Sequence, residues 1–159
     1  MDRALSEQFI DFLKRYLVFF QEFLLLETEK YQDITQNRVD KLDAHVKTEE
    51  AYMLKSRGME LERDRLMKQT PLPTATFREL LPLFDSSLRA QAEELYQNLS
   101  GVILELKEMN LRCNYLAELR LRRVEMEIKK IKNQPELQKK YDAKAREECQ
   151  SRGFISKKV

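Results

Sequence analysis

Between Ser86 and about Lys132 no proline interrupts the chain, and apolar or small residues return in steps of four and three. They are Leu88, Ala92, Leu95, Leu99, Val102, Leu106, Met109, Cys113 and Leu116. That rhythm lays all nine along one seam of a helix, the face a coiled coil uses. Such a helix runs roughly 70 Å at 1.5 Å per residue, so it needs antiparallel partners alongside it. From about Leu5 to Ile34 a first helix offers Phe9, Leu13, Leu17, Phe20, Leu24, Tyr31 and Ile34 on one stripe, with Phe12, Phe19, Phe23 and Leu26 beside it. This arc is wider than one partner covers. It either packs against two helices of its own chain or leaves a groove for another protein.

Thr35 to Arg38 breaks the pattern, and Asn37 or Asp40 is suited to cap a second helix reaching about Met67, with its seam along Val39, Leu42, Val46 and Met53. Lys47-Thr-Glu-Glu50 puts charge where that stripe should continue, so this helix is expected to be the most polar and mobile of the three. Its charges read as a solvated face, Glu60 and Asp64 set against Arg57 and Lys68. Pro71 and Pro73 end it. Thr76-Phe-Arg-Glu79 has the form of a capping box for a turn or two carrying Leu80, Leu81 and Phe84, after which Asp85 or Ser86 can cap the long helix.

The expected fold is all-α: an elongated antiparallel three-helix bundle over residues 1–132, with a long third helix, then a flexible tail over 133–159. Composition agrees, since three glycines and four prolines among many Leu, Glu, Lys and Arg leave few places to turn a sheet. With 29 basic and 27 acidic groups the net charge of +2 makes no case for nucleic acid, and Arg120 to Lys132 lacks the interleaved aromatics that stack bases. Leu17 to Leu26, with Glu22 inside it, is about half of what a bilayer crossing needs, and the N-terminus does not read as a secretory signal. The expected location is therefore cytoplasmic, without membrane insertion. Cys113 and Cys149 lack metal spacing and read as free thiols; the single histidine, His45, reads as an exposed or partly buried helix residue. No nucleophile and base pair is visible, so no enzyme is expected.

Beyond Leu116 the seam fails. Leu119, Leu121, Val124, Met126, Ile128 and Ile131 interleave with Arg120, Arg122, Arg123, Lys129, Lys130 and Lys132, cations that the negative end of a helix also favours. Val124, Ile128 and Ile131 recur at i, i+4 and i+7, the spacing that lays one helix into another. They are the expected binding surface for a partner helix; a homodimer seam would use the same stripe.

The pattern resembles the FlgN-like family of flagellar export chaperones for hook-associated proteins. The likeness rests on the apolar first helix, Asn37-Arg-Val-Asp-Lys-Leu42, Thr76-Phe-Arg-Glu-Leu-Leu81, and Leu106-Lys-Glu-Met-Asn110 with Asn114 four residues on. Tyr141-Asp-Ala143 and the closing Lys157-Lys-Val159 are similar to the family's ending, whereas Lys144-Ala145-Arg146 stands where members tend to have glycine. Asn110 and Asn114 are its sharpest part and are expected to bind the cargo with Val124, Ile128 and Ile131, because a polar residue beside a coiled-coil seam fixes register or a partner's position. The resemblance implies a chaperone that keeps hook-filament junction subunits unpolymerised and hands them to the flagellar export gate, with no ATP, metal or other cofactor. It implies Tyr141 as the contact with that gate; from the residues alone Tyr141 is a solvated tail residue. The alternative is a structural coiled coil that pairs only with itself.

Overall fold

In the computed structural model, which describes residues 1–153 without the side chains of residues 137, 138 and 147–153, Asp2 caps the first helix. Its carboxylate accepts the Leu5 N–H at 2.7 Å, and α1 runs Arg3–Thr35. At the other end Asn37 takes φ 58°, a left-handed conformation that Asn tolerates better than most side chains. The Arg38 N–H then reaches the Asp33 carbonyl at 2.8 Å and the Asn37 N–H reaches Ile34 at 3.1 Å, the paired bonds of a Schellman ending. Asn37 therefore closes α1 instead of capping the next helix. Asp40, the other expected cap, lies inside a 3-10 turn, Val39–Lys41, that leads into α2 (Leu42–Met67) without a side-chain cap.

α2 returns antiparallel along α1. Arg15 pairs with Glu62 at 2.5 and 3.0 Å, the Phe23 and Tyr52 rings lie 5.2 Å apart, and Asp33 meets His45 at 2.7 Å. The face of α2 that does this is not the one expected. Val39, Val46 and Met53 are exposed, while His45, Glu49, Tyr52, Met59 and Leu66 turn inward. Polar groups take the inner positions because α1 supplies them with partners, which an apolar pattern along one helix cannot reveal.

The connection after α2 folds back as a plug. The Glu79 carboxylate accepts the Thr76 N–H at 2.6 Å and its hydroxyl at 2.8 Å, starting α3 (Phe77–Leu80), and Pro82 lies in a 3-10 turn, Leu81–Leu83. Leu80 and Phe84 are buried, and Phe77 and Phe84 close on Phe9 with centroids 6.1 and 5.9 Å away. Asp85 then accepts the Ser87 N–H at 2.9 Å, so one turn intervenes and α4 begins at Arg89, three residues later than Ser86, and runs to Lys132.

The predicted seam of α4 is its inner face. Ala92, Leu99, Leu106 and Cys113 are buried, and Leu88, Leu95, Val102, Met109 and Leu116 are half-buried. Ser6 meets Asp85 at 3.1 Å and Glu27 meets Cys113 at 3.5 Å, so α4 runs parallel to α1 and the three long helices go up, down and up. The wide arc of α1 is occupied by its own chain: Phe9, Phe12, Leu13, Tyr16, Phe19 and Phe23 are all buried.

Packing groups the chain into residues 1–116 and a second unit from Ala117 on. The second unit holds the remainder of α4 and a further helix, α5 (Pro135–Gly153), where the sequence pattern suggests a loosely ordered tail. Proline suits the first helical position, where no N–H is needed, so Pro135 begins a helix as readily as it ends one. Asn133 and Gln134 separate α4 from α5. The side chain of Cys149, and Phe154 to Val159, lie outside the described residues. Among the described residues there is no strand, and no helix is long and apolar enough to cross a membrane.

Candidate functional site

Two places in the molecule depart from a plain apolar bundle. The first is a polar layer inside residues 1–116. On α1 the stripe Phe20, Leu24, Glu27, Tyr31, Ile34 keeps its steps of four and three only by passing through a glutamate, and Glu27 is wholly buried. Lys30 Nζ lies 2.9 Å from Glu27 Oε2, the Glu49 carboxylate of α2 caps the same ammonium, and Asn110 of α4 donates to Glu27 Oε2 at 3.4 Å. Two turns of α1 further on, Asp33 accepts from His45 at 2.7 Å and has the Arg38 guanidinium 2.8 Å away. Arg38 acts there by charge, since its buried Nε makes no aligned hydrogen bond.

Burial is the largest influence on Glu27 and pushes its carboxyl up. Hydrogen bonds with Glu49, Lys30 and Asn110, with the Lys30 charge, outweigh it and hold Glu27 below the ordinary glutamate value. Glu49 goes the other way, raised by burial and by Glu27 against the pull of Lys30. Burial lowers Lys30, but the two carboxyl groups prevail and raise it. The layer thus holds one firm carboxylate, one carboxyl that keeps its proton to higher pH, and one ammonium. At Asp33 the His45 hydrogen bond, with Arg38 and Lys41, lowers the carboxyl despite burial. Cys113 donates to the Glu27 carbonyl, and burial pushes its thiol up to about 11, so it stays protonated and unreactive.

These residues are not legible as a group in the sequence, because each charge reads as part of a solvated face. One signal is present: Glu27 occupies a core place of the α1 rhythm, and Leu42, His45, Glu49, Tyr52, Ser56 and Met59 keep steps of three and four on α2. The physical effect is to key α2 to α1 in one register, since a slip would strand buried charge without its partner.

The second place is the part of α4 in the second unit. Past Leu116 the seam positions fall on Arg120, Arg123, Glu127 and Lys130, while Ala117, Leu121, Val124, Ile128 and Ile131 keep the heptad steps one residue on. Leu121 is 60% exposed, Val124 51% and Ile128 45%; Ile131 is half-buried. The three residues singled out from the sequence therefore share one face of α4, a face with apolar surface in water. Arg122, Arg123, Lys129 and Lys130 are exposed around it. Of the two asparagines, Asn110 is engaged with Glu27, and Asn114 donates to Asn110 at 3.2 Å. Tyr141 lies on α5, 64% exposed.

Compared with known proteins, residues 1–148 match the model of the family described as FlgN protein. No curated protein and no solved structure matches the chain.

Proposed function

Since the chain belongs to the FlgN family and so is a flagellar export chaperone, we propose that its cargo is a hook-associated subunit of the hook-filament junction. The chain holds that subunit unassembled in the cytoplasm and delivers it to the export gate. The reading is carried by one observation: Leu121, Val124 and Ile128 expose apolar surface in a continuous heptad stripe flanked by cations. Such a face suits an amphipathic helix with acidic flanks, and junction subunits carry terminal helices meant for coiled coils that would aggregate if left uncovered. Tyr141, presented to solvent on α5, is the proposed contact with the gate.

A double change, Val124→Asp with Ile128→Asp, tests this. Both residues are exposed, so the variant should keep its helicity and unfolding midpoint while binding to purified hook-junction subunits falls at least tenfold in titration calorimetry. Binding as tight as the parent's places cargo elsewhere. Tyr141→Ala should leave that affinity unchanged and reduce export. A homodimer seam on the same stripe would show instead as loss of self-association in the double variant with cargo affinity intact.

A further inference from the structure

On the side of α2 facing away from α1, Ala51, Leu54, Gly58 and Leu61 follow at steps of three, four and three. All four are exposed, Leu54 by 70% and Leu61 by 61%. This is coiled-coil core spacing on a face that none of the described residues covers. Gly58 stands in mid-helix, where glycine is the least suited residue after proline, and a Cβ added there meets nothing within 4 Å. Packing among the described residues gives no reason for the glycine. Against a neighbouring helix it is a socket.

We propose that this face pairs with the same face of a second copy of the chain, the two α2 helices antiparallel about a two-fold axis. Leu54 of one copy then faces Gly58 of the other, and Leu61 faces Ala51, so every layer joins one large and one small side chain. A parallel pairing would stack leucine on leucine and glycine on glycine, crowding some layers and emptying others. The flanking charges fit the same register. Glu50 of one copy faces Arg57 of the other, twice by symmetry, and both are exposed. Lys55 faces Glu62 likewise, though Lys55 already lies 5.4 Å over the Phe19 ring and Glu62 is paired with Arg15. The Glu50 and Arg57 pairs therefore carry most of the electrostatic selection. This pairing involves α2 alone and is independent of the cargo reading.

The contact spans about two heptads, so association should be weak, visible as a rise in average mass over roughly 10 to 500 μM of full-length protein in sedimentation equilibrium. Leu54→Glu should abolish that rise and leave the thermal midpoint unchanged. Glu50→Lys alone and Arg57→Glu alone should each weaken association several-fold, and the double swap should restore it. In a parallel pair the double swap would instead bring a second positive charge near Lys55 and a second negative charge near Glu62, and association would stay lost. The proposal is overturned if the parent remains monomeric throughout, if self-association survives Leu54→Glu, or if the double swap fails to restore it. A monomeric parent whose binding to hook-junction subunits falls with Leu54→Glu would overturn it in favour of a foreign partner on this face. The charge swaps involve only exposed residues, so the test does not depend on the Leu54 variant folding.

Discussion

Lys30 Nζ sits 2.9 Å from Glu27 Oε2, one helical turn apart, with 11% of the lysine side chain and none of the glutamate side chain in contact with water. A charge so placed is tolerable only while its partner is present. Lys30→Met should therefore lower the stability of the fold by about 3–5 kcal/mol, because Glu27 is left buried without a cation. Adding Glu27→Gln to it should recover most of the loss. Urea unfolding of the two variants measures this; equal stability of the single and double variants would mean that the pair does not act as one unit.

The same layer sets a pH dependence. Glu27 and Asp33 are held below their ordinary values, so the stability they contribute is present above about pH 4 and is lost as pH falls through their lowered folded values. Glu49 is raised, so its proton contributes stability below the ordinary glutamate value that is lost as pH rises through its folded value. Glu49→Gln should remove that upper limb and be no less stable than the parent at pH 8. Thermal midpoints between pH 3 and 8 would show it; a midpoint at pH 8 clearly below the parent's would mean the Glu49 charge is needed on Lys30.

Leu99 lies midway along the α4 seam with 7% exposure. Leu99→Ala should cost about 2–5 kcal/mol through lost transfer energy and the cavity left behind. Leu104 on the same helix is 60% exposed, so Leu104→Ala should change stability by less than about 0.5 kcal/mol. Thermal unfolding of the two variants checks the contrast.

Cys113, 1% exposed and with its thiol pushed up to about 11, should resist alkylation in the folded protein at pH 8. In a Cys149→Ser background, modification by iodoacetamide should be slow without urea and become fast at the unfolding transition. Rapid labelling in native buffer would show that α4 separates from α1 around Glu27.

The sequence by itself determined the three long helices, though not α5, and the inner face of α4, because a heptad of apolar residues needs nothing beyond the local period to declare its side. It also determined the capping box at Thr76 and Glu79, whose two partners are three residues apart. The stripe through Val124 and Ile128 was legible for the same reason. Tertiary structure alone decided which way α2 faces, since His45 and Glu49 turn inward only when Asp33 and Lys30 stand opposite, 12 and 19 residues away. It decided that Asn110 meets Glu27 from 83 residues along the chain. A buried polar residue and a solvated one look alike in a single chain. What separates them is the presence of a partner, and only the fold brings the partner near.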